Sequence, residues 1–392
     1  MIEPAQRLKY LAPVVALALI ALGSASAFVI GQRSDRQTAA INAPEDPKAA
    51  FASEIYEIIK KDYWDKITDE QLGTLFKLAK EKAGSDDAVK IADIVLANLK
   101  PFGRSRLYSK QQETALRQQV ENINPEKDLY AALGVPKGAS IDEVEKAFQS
   151  KPKTEESAYA HEVLAKPTTK LNYDKGGNEP TVFGKMLKPS IAYMHVKQFA
   201  PLTLSEFKTV SDELALKKPS MLILDLRNNI GGAVDFLQYF LGPFIGPDQY
   251  AYEFFHQGDK TPYKTKNGWL DSFRIYRKVV VLIDNTVQSS AEVTATALKK
   301  YRFGVLVGTP TKGHGTIEEL FPVKSDIGDG KTYSVLLVQS ITLRADSLPI
   351  ESRGEDPNIN INDKDWREQL LSYYNSEALI KVVSEVWASP PR

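Results

Sequence analysis

The sequence contains no cysteine and only four histidines among its 392 residues. The lack of cysteine excludes disulfides, thiolate catalysis and cysteine metal sites, although it does not fix the redox compartment. Four scattered histidines argue against a zinc cluster, and we expect neither a metal nor a cofactor. Lys+Arg and Asp+Glu both total 50, so the net charge is near zero and nothing indicates nucleic-acid binding.

One long uncharged run lies near the N-terminus. Residues 11–31, LAPVVALALIALGSASAFVIG, are about numerous enough to cross a bilayer as a helix. Arg7 and Lys9 precede the run, which favours a cytoplasmic N-terminus and an exported body. We therefore expect residues 1–31 to form a cytoplasmic tip and a membrane anchor. A cleaved signal peptide is the alternative, since the A-S-A of residues 25–27 has the form of a cleavage site.

A linker and a helical module are expected next. Residues 32–48 are polar and contain prolines, which is typical of a linker. Between residues 49 and 120, apolar side chains such as Phe51 and Ile55 recur at helical spacing, and Ser109 could cap a further helix. This helical module, residues 49–120, is also the expected surface for any homo-oligomer.

Residues 126–177 predict a second helical unit. DLYAALGVPKGASIDEVEKAFQS indicates a short helix, a turn, and a helix capped by Ser140 with Glu143 at capping-box spacing. The stretch resembles the start of a J-domain, and HEVLAKPTTKLNYDKGG resembles the end of one. The His-Pro-Asp tripeptide of J-domains is absent, and the helix between the two ends is shortened. We therefore favour a packing or substrate-docking module over a co-chaperone.

Residues 180–392 alternate between strand and helix patterns. Apolar runs at residues 190–196, 221–224, 279–283 and 305–307 predict strands, and helical segments separate them. Strands separated by helices predict an α/β core with a mainly parallel sheet covered by helices. In such sheets, ligands bind at the carboxyl ends of the strands.

Three loops follow predicted strands and should share one rim of the sheet. They are residues 225–232, 284–292 and 308–319. The second loop carries Ser289 at a predicted helix start, and the third carries His314 between two glycines. A histidine has an unperturbed pKa of about 6.5, which suits a base that must take a proton from serine at neutral pH.

Each loop alone has an ordinary structural explanation. A glycine pair after a strand is usually a turn, a serine at a helix start usually caps the helix, and a histidine between glycines is usually a polar loop residue. Together they predict more. Unpaired N–H groups at the helix start and a second backbone that approaches at Gly231 and Gly232 could stabilise an oxyanion. We expect the backbone of Gly231, Gly232 and Ser290 to form this oxyanion hole.

The same segments resemble, in order, motifs of the carboxyl-terminal processing (tail-specific) peptidases, serine peptidase family S41. DLRNNIGG is similar to their DLRNN-x-GG signature, and VVVLIDNTVQSSAEVTATAL to their nucleophile strand and helix. GTPTKGHGTIEE resembles their lysine loop, GEDPNINI their G-x-x-P-D-I-x-V segment, and ANLKPFGRSRLYSKQQ a stretch of their helical part. The resemblance spans roughly residues 50–120 and 180–365. It implies an S41-like fold and a serine endopeptidase that acts on polypeptides.

The resemblance also implies the catalytic residues. Counting back three positions from Glu292 places the nucleophile at Ser289, and the family's lysine position, 25 residues later, holds His314. The family's glutamine position holds Glu318. A Ser-His-Glu site would therefore replace Ser-Lys-Gln, with the carboxylate stabilising the imidazolium and raising the pKa of His314 above about 6.5. Lys312 is the alternative base.

Two departures affect the expected function. Residues four apart in a straight strand lie about 13 Å apart, so the segment from His314 to Glu318 must curl if the pair is to touch. The family's PDZ domain is absent, and residues 126–177 stand in its place. We expect a bacterial inner-membrane serine endopeptidase with its body in the periplasm. The alternatives are an inactive peptidase fold that binds peptides or partners, and an adaptor that uses the J-like unit.

Overall fold

The computed structural model describes residues 46–391. The expected membrane anchor, the alternative signal peptide and most of the linker lie outside this range. Within it, none of the helices has both the length and the apolar character needed to span a membrane.

Helices and strands of the described residues are numbered here in chain order. The helices are α1 Pro47–Asp62, α2 Asp69–Ala83, α3 Ala88–Ala97, α4 Lys110–Val120, α5 Leu129–Leu133, α6 Ile141–Ser150, α7 Glu155–Leu164, α8 Pro167–Gly176, α9 Thr203–Ala215, α10 Leu237–Phe240, α11 Gly242–Ile245, α12 Ser290–Lys300, α13 Trp366–Tyr374 and α14 Glu377–Trp387. The strands are β1 Arg106–Ser109, β2 Val182–Lys188, β3 Ile191–Val196, β4 Met221–Asp225, β5 Tyr250–His256, β6 Asp259–Lys264, β7 Lys278–Ile283, β8 Val305–Gly308, β9 Thr316–Val323, β10 Tyr333–Leu343 and β11 Ile359–Asn360.

The predicted mainly parallel sheet is confirmed. Its strand order is β11-β8-β7-β4-β3-β2, and every neighbouring pair is parallel except β2 with β3. Successive strand residues face opposite sides, so the apolar runs feed two cores. Leu222 packs with Phe207 of α9 on one side, whereas Ile223 packs with Leu370 of α13 on the other. Both faces are therefore covered, as continuous apolar strands require.

A second, antiparallel sheet was not predicted. Its order is β1-β10-β5-β6, and β9 also pairs with β10. The predicted helical module packs here, because Phe51 and Ile55 of α1 share a buried cluster with Val335 of β10. The predicted cap of Ser109 on the following helix is confirmed, since its side chain accepts a hydrogen bond from the N–H of Gln112. Strand β1 thus ties the helices to the sheet.

Helices α5 to α8 form a separate small unit with its own core. Tyr130, Val144 and Val163 are among its fully buried side chains. The predicted capping box of Ser140 with Glu143 starts α6 and is confirmed. Two or three turns per helix and few buried side chains make this a small core for an independent unit.

The chain enters and leaves this small unit at one place. An isolated β-bridge joins Ile123 to Asn178, and the N–H of Glu179 donates to the carbonyl oxygen of Asn122 at 3.0 Å. The α5–α8 unit is therefore inserted between α4 and β2 as one closed excursion of the chain.

Candidate active site

The three predicted loops lie side by side on one rim of the parallel sheet. They follow β4, β7 and β8, which are neighbours in that sheet. Backbone hydrogen bonds join them, from the Gln288 N–H to the Asn229 carbonyl oxygen at 3.1 Å and from the Ser289 N–H to the His314 carbonyl oxygen at 3.0 Å. The topology thus brings together residues that are up to 85 positions apart in sequence, from Asn229 to His314.

Ser289 has a strained backbone at the turn from β7 into α12. Its φ is 57° and its ψ is −130°, a conformation that a non-glycine residue rarely adopts. Its side chain is partly exposed and forms a capping box with Glu292, in which Oγ faces the Glu292 N–H and the Glu292 carboxylate accepts the Ser289 N–H. A serine on a sharp strand-to-helix turn projects its Oγ from the sheet, and backbone strain of this kind concentrates at functional sites.

Gly231 lies directly against Ser289. A Cβ atom at Gly231 would stand 2.6 Å from the Ser289 Cβ and 3.1 Å from its Oγ, and the Gly231 φ of 86° also disfavours a side chain. The expected close approach of a second backbone is therefore present. The Gly231 N–H, however, donates to Asn229 Oδ1 at 2.9 Å, so in this conformation it is not free to bind an oxyanion.

Two other expected oxyanion donors remain available. The N–H groups of Gly232 and Ser290 have no hydrogen-bond partner among the described residues. The two residues are linked, because the Ser290 hydroxyl donates to the Gly232 carbonyl oxygen at 3.0 Å. Ser290 is buried and its hydroxyl is engaged, whereas that of Ser289 is accessible, so the geometry favours Ser289 as the nucleophile.

Glu292 connects the serine loop to the histidine loop. Its carboxylate is fully buried and accepts four hydrogen bonds. The donors are the backbone N–H groups of Ser289 (2.9 Å), Gly313 (2.7 Å) and His314 (2.8 Å) and the hydroxyl of Thr311 (2.6 Å). Burial raises the pKa of Glu292, and these four bonds oppose that rise because they stabilise the ionised form. In the sequence, Glu292 served only as the reference position from which Ser289 was located.

The His314 ring does not face the partners that the sequence predicted. Arg104 Nη1 lies 2.9 Å from His314 Nδ1, and among the described residues no hydrogen bond joins the ring to Ser289 or Glu318. Burial, followed by the positive charges of Arg104 and Lys312, lowers the pKa of His314 to about 4. The expected rise above about 6.5 is therefore wrong for this conformation.

Glu318 and Lys312 lie on either side of this histidine in sequence, and neither bonds to its ring. Glu318 is in β9, which begins at Thr316, so it is not in the loop that the sequence predicted. The Thr316 hydroxyl donates to the Glu318 carboxylate; burial raises the pKa of Glu318, and that bond and the Arg104 charge oppose the rise. The Lys312 side chain is exposed. The predicted contact between His314 and Glu318 is absent in this conformation, and the catalytic role of Glu318 stays a prediction.

Arg104 and Glu351 were not anticipated as site residues. Arg104 lies in the loop between α3 and β1 and is 22% exposed, and its Nη2 is 3.5 Å from Glu351 Oε1. Glu351 is 12% exposed, and it accepts the Gly315 N–H at 2.9 Å. Arg104 precedes His314 by 210 residues, so no local pattern could have connected them.

The described residues contain no site suited to a metal ion. Among residues 46–391, no group of three or more histidine, aspartate and glutamate side chains has the arrangement of metal ligands.

Comparisons with known proteins agree on the core. Residues 190–361 match the model of peptidase family S41. The carboxy-terminal processing protease CtpB of Bacillus subtilis (strain 168) is 29% identical over 190 residues, which cover 47% of this chain and 38% of that protein. The carboxy-terminal processing protease CtpA of the same strain is 23% identical over 397 residues, covering 94% of this chain and 78% of that protein. The CtpB match thus spans less than half of that relative.

A solved structure shows the fold. The photosystem II D1 C-terminal processing protease superposes with a TM-score of 0.53 at 17% identity, covering 81% of this chain and 93% of that one. The fold of the chain is therefore S41-like, with a mainly parallel sheet and N-terminal helices. The family model leaves residues 126–177 outside its match, and the J-domain resemblance of that unit gains no support from these comparisons.

Proposed function

Because residues 190–361 match the model of peptidase family S41, we propose that this chain is an exported serine endopeptidase that cleaves polypeptides through an acyl-enzyme on Ser289. The main support is the Ser289 turn. A serine with a φ of 57° and a partly exposed side chain begins a buried helix, beside two N–H groups that have no partner among the described residues. Such strain persists only where the surrounding structure enforces it, and it concentrates at functional sites.

The proposed reaction follows from these positions. The Ser289 hydroxyl attacks the substrate carbonyl carbon, and its proton passes to the His314 imidazole. The oxyanion of the tetrahedral intermediate accepts hydrogen bonds from the N–H groups of Gly232 and Ser290. The imidazolium returns its proton to the leaving amine, and water hydrolyses the ester with the same base. Glu318 would stabilise the imidazolium once it reaches His314.

The test is labelling of the full-length protein with a fluorophosphonate probe. We expect the wild type to be labelled, Ser289→Ala to lose both labelling and peptide hydrolysis, and Ser290→Ala to keep labelling at a reduced rate. Loss of labelling in Ser290→Ala alone would shift the nucleophile by one residue. Absence of labelling in the wild type and in every variant that keeps Ser289 would refute the serine-peptidase proposal.

The second candidate function is a peptide-binding protein without catalysis. One observation favours it, because the His314 Nδ1 is bound to Arg104 and no hydrogen bond joins the ring to Ser289. This function predicts that a substrate peptide binds with the same affinity to wild type and to Ser289→Ala, while neither protein is labelled. Calorimetric titration of both proteins with one peptide separates the two functions.

We also propose that residues 11–31 hold the protein in a bacterial inner membrane with residues 49–392 in the periplasm. The support is the uncharged run behind Arg7 and Lys9. Alkaline carbonate washing should leave the protein with the membranes. Release of most of the protein, with a new N-terminus after Ala27, would indicate a cleaved signal peptide.

For the α5–α8 unit, residues 126–177, we propose a packing or substrate-docking role. Its closed path and its own core support a self-contained module, and the absent His-Pro-Asp tripeptide argues against co-chaperone activity. Deletion should impair cleavage of folded protein substrates more than cleavage of a short peptide. Stimulation of an Hsp70 ATPase by the full-length protein would contradict this role.

A further inference from the structure

The contact between Arg104 and His314 determines which nitrogen of the imidazole carries the proton. A guanidinium carries only N–H donors and remains charged, so it cannot accept a hydrogen bond. At 2.9 Å from Arg104 Nη1, the Nδ1 of His314 must therefore be the acceptor. A neutral imidazole with an acceptor at Nδ1 carries its proton on Nε2.

This tautomer leaves His314 without a free lone pair. The lone pair of Nδ1 is bound to Arg104, and Nε2 already holds a proton, so neither nitrogen can take the proton of the Ser289 hydroxyl. The ring also cannot become an imidazolium while the contact lasts, because both nitrogens would then be donors facing a cation. The serine and oxyanion parts of the site are formed, whereas the base is held in an unreactive form.

We propose that Arg104 is a positioning residue that holds His314 in this unreactive tautomer, and that the base becomes competent when Arg104 moves from His314 onto Glu351. This inference rests on the proposed function. Glu351 Oε1 is already 3.5 Å from Arg104 Nη2, so a small movement would turn the ion pair into a close hydrogen-bonded contact.

The exchange balances in protons and provides a partner for the freed nitrogen. When Arg104 leaves, one proton is lost from Nε2 to solvent and one binds Nδ1, so His314 stays neutral. The Nδ1–H can then donate to Glu318, which now accepts the Thr316 hydroxyl and lies close enough to Arg104 for the arginine charge to lower its pKa. The free lone pair of Nε2 is then available to Ser289.

The charged groups around His314 make this proposal testable by titration. Arg104 and Lys312 are the cations that lower its pKa to about 4. The carboxylates in the same surroundings are Glu318, Glu351 and Glu292, whose carboxylate accepts the His314 backbone N–H. Removing Arg104 removes the nearer cation and frees Nδ1, so the pKa of His314 should rise toward the unperturbed value of about 6.5.

The first experiment reads the tautomer without relying on activity. Nitrogen NMR of full-length protein labelled at its four histidines, assigned with His314→Gln, should show wild-type His314 neutral and protonated on Nε2 down to about pH 4. In Arg104→Met, His314 should titrate at a higher pH than in the wild type but below about 6.5, because burial, the largest cause of its lowered pKa, remains. Arg104→Lys keeps a cationic donor and should stay closer to wild type, and exposed Arg106→Met is the matched control that should change nothing.

The second experiment measures hydrolysis of a short peptide. Arg104→Met should raise kcat about tenfold or more while KM changes less than about twofold, because the blocked fraction falls. The acid limb of kcat/KM should move to higher pH. An Nδ1–H tautomer in the wild type, an unchanged titration, or a lower kcat in folded Arg104→Met would overturn the proposal. If no variant hydrolyses peptide and none is labelled at Ser289 by the fluorophosphonate probe, the peptidase function fails. The NMR result still decides the role of Arg104.

Discussion

Around Ser289 the backbone is fixed by a buried carboxylate with four donors, whereas the His314 ring is held by one hydrogen bond, from an arginine whose own ion pair spans 3.5 Å. In the first arrangement, the backbone layer, four donors satisfy one buried carboxylate, and a satisfied buried polar network of this kind is rigid. The second, the side-chain layer, consists of long, partly exposed side chains that can exchange partners at low cost. The backbone layer around Ser289 and the side-chain layer that holds His314, the proposed base, are therefore separable.

The largest expected effect tests whether the side-chain layer supplies the base. His314→Ala should lower kcat about 10³-fold or more, because the serine then has no group to take its proton. Lys312→Ala should change kcat less than about threefold, since the Lys312 side chain is exposed. Steady-state kinetics on one peptide decide between them. Full activity in His314→Ala with loss in Lys312→Ala would make Lys312 the base.

The next largest expected effect comes from disrupting the backbone layer at Glu292. Glu292→Gln replaces one acceptor oxygen with an NH₂ group that faces buried donors, and should destabilise the protein by about 3 kcal/mol. Urea unfolding measures the change, and Ser289 labelling should slow in parallel. Exposed Glu213→Gln in α9 is the matched control and should remain within about 0.5 kcal/mol of wild type. Equal stability of the Glu292 and Glu213 variants would mean that the backbone layer does not depend on this carboxylate.

The smallest expected effect concerns Glu318 and tests whether its carboxylate orients His314. Glu318→Gln should lower kcat about tenfold to 100-fold, less than His314→Ala, because it removes an orienting charge and leaves the base. Thr316→Val removes the hydroxyl that now occupies this carboxylate, so it should leave kcat unchanged or raise it. Parallel kinetics of the two variants provide the check. A Glu318→Gln variant with wild-type kcat would remove Glu318 from the mechanism.

The parts of the fold that rest on local patterns could be predicted from sequence. The apolar runs gave β4, β7 and β8 at nearly the right bounds, because a buried parallel strand has no polar alternation to confuse it. The antiparallel sheet was missed. Strand Thr316–Val323 is only partly buried, and strand Arg106–Ser109 pairs with residues 333–336, more than 200 residues later. Propensity carries little information in that situation.

The same distinction between local patterns and contacts with distant residues applies to the site. The loops that carry Ser289 and the glycine pair were placed by their position after a strand, and the structure does bring these loops together, whereas the choice of Ser289 came from the family resemblance. The orientation of His314 depends on Arg104, 210 residues earlier, and nothing near His314 in the sequence predicts that contact. The predicted direction of its pKa change was wrong because it was argued from Glu318 alone, whereas burial, followed by the charges of Arg104 and Lys312, lowers the pKa.

The closed path of the α5–α8 unit has a consequence for how this protein can diversify. Residues 124–177 leave the main body at Asn122 and Ile123 and return at Asn178 and Glu179, which are bonded to each other. To the catalytic sheet the excursion is a single loop, and the entropy of closing a loop grows only by about 0.6 kcal/mol for each doubling of its length. Modules of very different size and shape can therefore be exchanged at this junction without re-routing a strand, and under the proposed docking role such an exchange would change substrate preference without changing the reaction.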